Sequence, residues 1–383
     1  MGHIRHMKIA VNCWVLRNKQ LDGIGNFTVE TLPRIIRAHP EVEFMILCDK
    51  HFTESYFDFP NVTKHHIFPP YRHPLLYVAF MEWTVRRFLA KHKPDIFLSM
   101  EGFLSLGSPC RQLPIIYDLN FEEYPQDLTF KNRVYFRSFF PRFARKAARI
   151  ATISEYSKED IVKRYKISAS QIDNVSCGIK EVFGPLREEE KVLTRQEYTS
   201  GNEYFFFVGS MHPRKNIVRL LQAFDLYKKE HPSTVRLVLS GHILWDDASI
   251  NQVLDQLSCR QDIIFTGRVT DDQLRRLIGA ALCLSFVPTF EGFGLPIVEA
   301  FQAGVPVICS NTTSMPEVAG EAAIQVDPFN SKDIAGAMGR VSADKRLRDD
   351  MIQKGFVQKN IFTWDRTASL LYDCILRALP AGS

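Results

Sequence analysis

Several features that mark other protein classes are missing from this 383-residue sequence. No apolar run approaches the roughly 20 residues that a transmembrane helix needs, so no membrane-spanning helix is expected. The opening residues, MGHIRHM, lack the apolar core of a signal peptide, and residues 1–6 resemble a cloning scar that is left out of the fold prediction. The eight cysteines form no Cys-x-x-Cys pair, which argues against a zinc site and predicts buried free thiols in a reducing cytoplasm.

Composition and charge describe a globular protein whose charge is unevenly distributed. Apolar residues make up 45% and charged residues 24%, the balance of a soluble protein, and the length suffices for two domains. The net charge of +5 is concentrated in residues 1–185, whereas residues 186–383 carry a slight excess of negative charge. The first half is therefore the candidate for an anionic partner. No nucleic-acid-binding module is recognisable, so nucleic acid is not expected as that partner.

Short apolar runs alternate with helical patterns along most of the chain, which predicts an α/β fold with parallel sheets covered by helices. The alternation breaks at residues 186–202, LREEEKVLTRQEYTSGN, which are polar and are interpreted as an interdomain linker. It restarts at Tyr204–Val208. The sequence therefore predicts an N-terminal domain over residues 7–185, a C-terminal domain over 203–361, and a last helix over 362–383 that packs back on the first domain.

A first glycine-rich motif, Asp22–Thr28 (DGIGNFT), follows the first predicted strand and opens the first helix. Gly23 and Gly25 would let the backbone approach a ligand, and the helix N-terminus offers unpaired N–H groups to an anion. Thr28 replaces the third glycine of the dinucleotide-binding fingerprint, so the motif is incomplete. A tight strand-to-helix turn without a ligand explains it equally well.

A second motif, Phe207–Asn216 (FVGSMHPRKN), joins a strand to a helix in the second half. Gly209 turns the chain, and Arg214 and Lys215 stand side by side before the helix. Ligands of open parallel sheets bind beyond the carboxyl ends of the strands, and adjacent Arg and Lys side chains there suit a diphosphate. The alternative is a solvated cation pair that flanks a helix start.

A third motif, Thr289–Ala300 (TFEGFGLPIVEA), again joins a strand to a helix. Small residues at Gly292–Gly294 leave backbone N–H groups free for an anion. Glu291 precedes this loop, and Glu299 follows it within an apolar helix, where a carboxylate needs a polar partner such as the hydroxyls of a ribose. The alternatives are an ordinary cap for Glu291 and an exposed helix face for Glu299.

The segment EGFGLPIVEAFQAGVPVICSNTTSMPEVAGEAAIQVDP, with two glutamates eight positions apart around GFGLP, resembles the signature of the retaining family-four glycosyltransferases. FVGSMHPRKN resembles the phosphate-clamping loop of this family, DGIGNFTVETL its N-terminal glycine loop, and ISEYSKEDI a strand region of its first domain. The resemblance implies the GT-B fold: two Rossmann-like domains whose parallel sheets face a central cleft. The N-terminal domain would bind the acceptor, and the C-terminal domain the nucleotide sugar.

The resemblance also implies roles for particular residues. Arg214 and Lys215 would hold the donor diphosphate during catalysis. Glu291 would contact the transferred sugar, and Glu299 would hold the ribose hydroxyls. The other donor-binding positions, at the sugar, the phosphates or the base, are Gly209, Ser210, Gly267, Arg268, Val269, Gly292, Phe293, Gly294 and Leu295. The positions contributed by the N-terminal domain to the acceptor or phosphate site are Gly23, Gly25 and Asp118.

Two positions depart from the family pattern. Tyr117 and Asp118 stand where the family usually has a His-Asp pair, which puts a histidine role in the sugar site in doubt. Ser210 stands where many members have an arginine. The diphosphate clamp would therefore rest on Arg214 and Lys215 alone.

The implied reaction is the transfer of a hexose from a nucleotide sugar, which is a substrate, so that no cofactor is expected. Such transfer passes through an oxocarbenium-like state as a diphosphate leaves, and fixed cations stabilise the developing negative charge. No Asp-x-Asp pair occurs, which predicts an enzyme that needs no metal ion. No nucleophile for double displacement is evident in the sequence. The resemblance therefore implies front-face transfer with retention of anomeric configuration.

The His-Pro-Arg-Lys-Asn form of the clamp resembles mannosyltransferases of polysaccharide assembly, which favours GDP-mannose as the donor and a glycan or lipid-linked acceptor. Alternatives stay open. They are a UDP-sugar-dependent transferase of the same fold, a nucleotide-sugar epimerase or phosphorylase, a catalytically silent sugar-nucleotide-binding protein, and an NAD-dependent dehydrogenase built from two Rossmann-like halves.

The basic N-terminal half predicts peripheral contact with the inner face of a membrane, for a protein expected in the cytoplasm. Residues 75–93 and 132–149 combine Lys and Arg with aromatic neighbours, as do helices that lie in a membrane interface. The alternative is that both are ordinary sheet-covering helices, with aromatic side chains in the core and cations in solvent.

Overall fold

A computed structural model describes residues 7–17, 21, 23–49, 52, 55–67, 74–242 and 248–380. This part of the chain divides into two compact units. The first unit contains the residues up to Gly178 together with those from Trp364 onward, and the second unit contains Ile179–Thr363. The sequence placed the first boundary at residue 185, which is too late, because the polar run used to locate it begins only after the chain has entered the second unit.

Parallel strands form the centre of the first unit. They are β1 (Lys8–Asn12), β2 (Glu43–Cys48), β3 (Val62–His66), β4 (Ile96–Ser99), β5 (Gln112–Pro114), β6 (Ile150–Thr152) and β7 (Ile172–Asn174). Five pair in the order β3-β2-β1-β4-β5, and β6 pairs with β7. A parallel bridge between Ile115 and Ala151 links these two groups. The winding direction changes between β1 and β4, so the loops after these strands leave the carboxyl edge side by side.

Helices pack around this sheet. They are α1 (Gly23–Ala38), α2 (Pro74–Ala79), α3 (Arg86–His92), α4 (Asn120–Glu123), α5 (Phe130–Lys146) and α6 (Glu155–Tyr165). A π-helical turn, Phe80–Val85, joins α2 to α3 where the sequence predicted one uninterrupted helix. The residues of β1, β2 and β4 are buried almost throughout, as is typical of a parallel sheet with both faces covered.

The second unit has one sheet of six parallel strands. They are β8 (Tyr204–Val208), β9 (Arg236–Ser240), β10 (Ile263–Gly267), β11 (Cys283–Phe286), β12 (Val307–Ser310) and β13 (Ile324–Val326). Their order is β10-β9-β8-β11-β12-β13. The winding reverses between β8 and β11, which makes the carboxyl edge of these two strands the ligand-binding position of such sheets. The predicted fold class, two Rossmann-like α/β halves, is confirmed.

Eight helices accompany this sheet in the described part of the second unit. They are α7 (Glu188–Thr199), α8 (Ile217–Glu230), α9 (Ala248–Leu254), α10 (Asp271–Gly279), α11 (Leu295–Ala303), α12 (Met315–Ala319), α13 (Ser331–Ala343) and α14 (Lys345–Gln358). A short 3₁₀ turn, Pro213–Lys215, precedes α8.

The segment interpreted as a linker, residues 186–202, folds instead as α7 within the second unit. Its Glu, Lys, Arg and Gln residues are strong helix formers, and acidic residues in its first turn complement the helix dipole. Ion pairs tie it to α10, with Glu190 3.1 Å from Arg275 and Glu197 2.7 Å from Arg276. A polar segment can therefore belong to a compact unit when its charges find partners there.

The last helix, α15 (Trp364–Ala378), belongs to the first unit and packs against α1. The Arg34 guanidinium lies 2.9 Å from the Asp365 carboxylate. The rings of His39 and Tyr372 stack at a centroid distance of 3.5 Å. Apolar residues recur in this helix with the helical period of 3.6 residues, and they form a buried stripe along its length.

All eight cysteines are free thiols; Cys110 is half-buried and the others are buried. Burial raises the pKa of Cys48 to about 11, so this thiol stays protonated and unreactive at neutral pH. Within the described ranges, no helix is long and apolar enough to cross a bilayer.

Candidate active site

Two loops leave the carboxyl edge of the second sheet at the point where its winding reverses. One follows β8 and contains Gly209, Ser210 and the Pro213–Lys215 turn. The other follows β11 and runs through Glu291 to Gly294. The second sequence motif contains His212 and the third contains Glu291, 79 residues further along the chain. Because β8 and β11 are neighbours in the sheet, the two motifs nevertheless lie beside each other.

Close backbone packing shapes the loop after β8. Gly241, at the end of β9, has φ +146°, and a Cβ built on it would lie 1.7 Å from the carbonyl oxygen of Gly209. A side chain at position 241 would therefore displace the loop that carries the two cations. The backbone N–H of Met211 donates to the His242 carbonyl at 3.0 Å and holds the loop against the neighbouring strand end.

Asn216 anchors the end of the same loop. Its Nδ2 donates to the carbonyl oxygens of Val287 at 2.9 Å and Pro328 at 2.7 Å. The residue is almost fully buried and adopts a left-handed backbone conformation with φ +65°. Asparagine tolerates this conformation better than most residues and supplies the amide that two buried carbonyls need. The preceding cations are thereby fixed relative to β11.

Arg214 and Lys215 converge on Glu291. The Glu291 Oε1 atom lies 2.5 Å from an Arg214 Nη and 2.5 Å from the Lys215 Nζ. Arg214 also donates to the Phe290 carbonyl at 3.2 Å, and its own carbonyl accepts from the Thr289 N–H at 2.8 Å. All three charged side chains are largely buried, at 21%, 12% and 14% exposed. Two cations share one carboxylate, so the cluster keeps positive charge for an anionic ligand.

The electrostatics of Glu291 follow from these neighbours. Burial by itself raises the pKa of the carboxyl, but the charges and hydrogen bonds of Lys215 and Arg214 outweigh it, and the pKa lies below the usual value. Glu291 is therefore ionised at neutral pH. It is suited to hydrogen-bond acceptance and to electrostatic stabilisation of positive charge, and not to the donation of a proton.

A glycine turn connects Glu291 to α11. Gly294 has φ +110° and caps the N-terminus of that helix, and a Cβ there would lie 2.7 Å from Met315 Cε. The Ser314 hydroxyl donates to the carbonyls of Glu291 at 2.9 Å and Phe293 at 3.0 Å. These bonds hold the turn that leads into α11, and the N-terminus of a helix favours anions.

Glu299 lies in α11 beyond this turn and is half-buried. Burial raises its pKa to about 7, while Lys180 lowers and Asp271 raises it to a smaller extent. It accepts no hydrogen bond and makes no ion pair with any residue that the structure describes. A partly accessible carboxylate without a partner is matched to a ligand that brings hydroxyl donors.

The predicted base-pocket residues follow β10. Gly267 and Arg268 are exposed, Val269 is half-buried, and the Gly241 N–H donates to the Gly267 carbonyl at 2.9 Å. They line the same carboxyl edge as the cation loop, two strands away from β8. Among the described residues, no hydrogen bond or ion pair joins these three to the cation cluster.

The predicted residues of the first unit lie at its own carboxyl edge. Gly23 is exposed and Gly25 is buried, both in the first turn of α1. Asp118 accepts from the Asn120 N–H at 3.0 Å and its Nδ2 at 2.7 Å. Asp22, named in the glycine motif, lies outside the described residues.

Sequence reasoning assigned no role to four polar residues that the structure places at the two carboxyl edges. In the first unit the Asn12 Nδ2 donates to Glu101 at 3.3 Å, between the ends of β1 and β4. In the second unit Asn216 and Ser314 hold the two loops in place. Asn12 and Glu101 could have been found from the sequence. Asn12 is the last residue of an apolar strand and Glu101 closely follows another, on the two sides of the winding reversal.

No group of three or more His, Cys, Asp or Glu side chains arranged to hold a metal ion occurs among the described residues. Metal independence therefore stays a prediction, to be tested by chelation.

Comparisons with known proteins agree with this architecture. The sequence matches the family described as Glycosyl transferases group 1 over residues 190–358 and Glycosyltransferase Family 4 over residues 21–181. O-antigen chain mannosyltransferase B of Escherichia coli is 29% identical over 357 residues, which cover 90% of this chain and 93% of that protein. Serotype-specific mannosyltransferase WbdA of Escherichia coli is 28% identical over 270 residues, 69% of this chain and 32% of that protein.

A solved structure extends the likeness to the fold. Sucrose-phosphate synthase from Thermosynechococcus elongatus superposes with a TM-score of 0.78 at 16% identity, covering 97% of this chain and 100% of that one. The two family matches together span most of the sequence and divide near the boundary between the two units. This chain belongs to the group 1 and family-four glycosyltransferases and has the GT-B fold that its motifs predicted.

Proposed function

We propose that this glycosyltransferase moves mannose from GDP-mannose to a glycan or lipid-linked acceptor, with retention of configuration, in the assembly of O-antigen or a related polysaccharide. The two Escherichia coli relatives are mannosyltransferases, and one of them matches nearly end to end. Family membership favours transfer over the dehydrogenase alternative. The nucleotide panel described below distinguishes GDP-mannose from a UDP-sugar as the donor.

The observation that carries the proposal is the cluster of Arg214, Lys215 and Glu291. An arginine fork and a lysine point charge, fixed 2.5 Å from one carboxylate, suit the two phosphates of a nucleotide sugar. As the glycosidic bond breaks, negative charge grows on the leaving diphosphate, and cations already in place stabilise it without reorganisation. The N-terminus of α11 adds to this stabilisation.

Glu291 completes the proposed chemistry at the sugar. Its lowered pKa keeps it ionised, so it accepts hydrogen bonds from hydroxyls of the transferred mannose and stabilises positive charge near the anomeric carbon. The carboxylate is itself held by both cations. It therefore acts as a fixed partner of the sugar, which fits transfer on one face with the diphosphate close to the incoming hydroxyl.

Glu299 is assigned to the ribose. A half-buried carboxylate whose pKa is raised to about 7 gains hydrogen bonds when vicinal hydroxyls arrive, and these bonds favour its ionised form. Its position on α11, beyond the glycine turn that follows Glu291, supports this assignment to the nucleoside part of the proposed donor.

Thermal unfolding with a panel of nucleotides tests the donor. We expect GDP and GDP-mannose to raise the melting temperature more than UDP, ADP and their sugars, because only ligands that bind the native state stabilise it. Transfer of mannose to a glycan acceptor, followed by determination of the product anomer, tests the reaction. A larger shift with UDP-sugars would replace GDP-mannose as the donor, and an inverted product would contradict retention.

Chelation tests the role of metal. We expect mannose transfer to continue after treatment with EDTA and dialysis, because Arg214 and Lys215 provide the positive charge that a metal ion supplies in other transferases. Full loss of activity that returns on addition of manganese or magnesium would contradict this prediction.

A further inference from the structure

A buried polar pair lies at the carboxyl edge of the first sheet, at the point where its winding reverses. Asn12 ends β1, Ser99 ends β4, and the two residues are register partners in this parallel pair of strands. Both are 0% exposed. The register partners two positions earlier, Ala10 and Phe97, belong to the hydrophobic core, and alternate residues of a strand share one face. Two polar side chains therefore continue an apolar face, where burial is costly without hydrogen bonds.

Hydrogen bonds within the chain satisfy this pair only in part. The Asn12 Oδ1 atom accepts from the Trp14 N–H at 3.4 Å, and the Asn12 Nδ2 donates to a Glu101 carboxylate oxygen at 3.3 Å. The Ser99 hydroxyl has no hydrogen-bond partner in the part of the chain that the structure describes. Buried hydroxyls without a partner are uncommon in folded proteins, so this one is matched to a polar group that arrives with a ligand.

The loop after β4 holds Glu101 in place at this edge. Gly102 has φ +81°, a conformation that favours glycine, and a Cβ built on it would lie 3.1 Å from the carbonyl oxygen of Ile115. On the other side of Glu101, the Tyr117 hydroxyl donates to the Met100 carbonyl at 3.1 Å. The residues that flank Glu101 are thus both fixed against the chain that follows β5, and the half-buried carboxylate lies between the ends of β1 and β4.

The chemistry of these groups favours sugar hydroxyls over phosphate. An ionised carboxylate accepts hydrogen bonds and repels phosphate, whereas an amide and a hydroxyl can each donate or accept. Burial above all, and then Cys48 and Glu101, raises the pKa of the Cys13 thiol, which directly follows Asn12. The negative charge of Glu101 therefore acts on the end of β1. The cation cluster of the second unit is the opposite case, because two cations there share one carboxylate.

We propose that Glu101, positioned by Asn12, accepts hydrogen bonds from hydroxyls of the acceptor sugar and so selects acceptors whose reacting end is a neutral sugar rather than a phosphorylated one. Ligands of open parallel sheets bind in the crevice where the winding reverses, and this carboxylate lies there. Ser99 lies behind the pair and gains a partner when a hydroxyl or a water molecule enters with the ligand. The inference rests on the proposed glycosyl transfer and adds the class of acceptor. The phosphates of a lipid-linked acceptor would then lie away from the reacting sugar.

Acceptor kinetics test this role of Glu101. The probes are p-nitrophenyl glycosides of mannose, glucose, galactose and N-acetylglucosamine, each beside its 6-phosphate. We expect transfer to a neutral glycoside, and at least about tenfold less to its 6-phosphate, because like charges repel. Glu101→Gln keeps the shape of the side chain and removes its charge. It should raise the KM for the neutral acceptor about ten- to a hundredfold, the range of a hydrogen bond to a charged group, and narrow the preference over the 6-phosphate. The KM for the donor should stay unchanged.

Ser99→Ala separates a binding role from a structural one. The variant removes a hydroxyl that makes no hydrogen bond within the described chain, so the melting temperature should not fall, whereas the KM for the neutral acceptor should rise about three- to tenfold. Ser285, in β11, is the matched control, because it too is 0% exposed and its hydroxyl makes no such bond. Ser285→Ala should leave acceptor KM unchanged. A lower melting temperature of Ser99→Ala without any change in KM would overturn its assignment to the ligand.

Glu43→Gln is the control for the loss of negative charge. Glu43 is half-buried on the same sheet, at the opposite edge, where it pairs with Lys8 at 3.1 Å. This variant should leave acceptor kinetics unchanged. Equal rises in acceptor KM for Glu43→Gln and Glu101→Gln, or equal use of neutral and phosphorylated glycosides by the parent, would overturn the proposal.

Donor-side measurements distinguish failure of this proposal from failure of the proposed function. The thermal shift with nucleotide sugar, and the slow hydrolysis of the donor without acceptor, should be the same for Glu101→Gln and the parent, because neither involves the acceptor. Loss of both would assign Glu101 to the donor and overturn the acceptor role. Calorimetric titration of the neutral glycosides into protein saturated with a nucleoside diphosphate tests the site even if GDP-mannose is not the donor. Equal affinities of the parent and Glu101→Gln in that titration would overturn the proposal.

Discussion

Replacement of Lys215 by Ala is expected to lower the rate of sugar transfer about a hundredfold or more while the protein stays folded. The Lys215 charge is needed most when the diphosphate leaves, and loss of one such fixed stabiliser typically costs this much in turnover. Glu291 keeps its 2.5 Å contact with Arg214, so no buried carboxylate is left without a partner. Initial rates at saturating donor, together with circular dichroism and melting temperature, measure both parts of the prediction.

The second unit contains a matched control for this variant. Lys228 lies 2.9 Å from Asp262, which also pairs with Arg236, so one buried carboxylate again holds one lysine and one arginine. Lys228 is 10% exposed, close to the 12% of Lys215. Lys228→Ala should therefore cost similar stability and leave turnover nearly unchanged. Near-normal turnover for Lys215→Ala, or equal losses for both variants, would contradict the clamp assignment.

Local sequence patterns were sufficient to predict most of the fold, because buried parallel strands are continuous apolar runs. Tyr204–Val208 is an example, with all but its last residue buried. β3 was missed because Val62–His66 (VTKHH) lies at an edge of the sheet, where one neighbour is enough and polar side chains face solvent. Its position depends on pairing with β2, which a local pattern does not reveal.

The prediction that residues 186–202 form a linker was wrong for a related reason. The charged residues of α7 look solvated when they are considered alone, but Glu190 and Glu197 bind arginines of α10 that lie about eighty positions further along. The sequence of α7 indicates a helix. That this helix belongs to the second unit depends on those distant partners. Periodicity therefore predicts an element more reliably than it predicts what the element packs against.

In the candidate site, too, the local elements were predicted from the sequence and the contacts between them were not. Glycine and proline patterns located the loops that carry Arg214, Lys215 and Glu291, because each loop must turn at a strand end. The shared contact of both cations with one Glu291 oxygen was not predicted, since it depends on β8 and β11 being neighbours in the sheet. The hydrogen bond from Asn216 to the carbonyl of Val287, which joins the loop after β8 to the end of β11, was not predicted for the same reason.

Replacement of Glu299 by Gln is expected to weaken binding of the nucleotide sugar by about ten- to a hundredfold, the range typical of a hydrogen bond to a charged group. The same replacement should raise the stability of the folded protein at neutral and alkaline pH. The folded-state pKa of about 7 lies above the ordinary carboxyl value of 4.5, so the folded protein loses stability as the pH rises between these values. Glutamine does not ionise, and the variant should melt at a higher temperature than the parent at pH 8, with a difference that shrinks towards pH 5.

The pH dependence of donor binding distinguishes this role of Glu299 from a purely structural one. Affinity of the parent for a nucleotide sugar should rise as the pH increases through about 7, because the carboxylate accepts hydrogen bonds from ribose hydroxyls better once it is ionised. Asp271 raises the pKa of Glu299, so Asp271→Asn should move this rise to lower pH without changing the affinity reached at high pH. Glu299→Gln should abolish the rise. Isothermal titration calorimetry from pH 5.5 to 8.5 measures all three proteins, and a pH-dependent rise that persists in Glu299→Gln would assign the titration to another group.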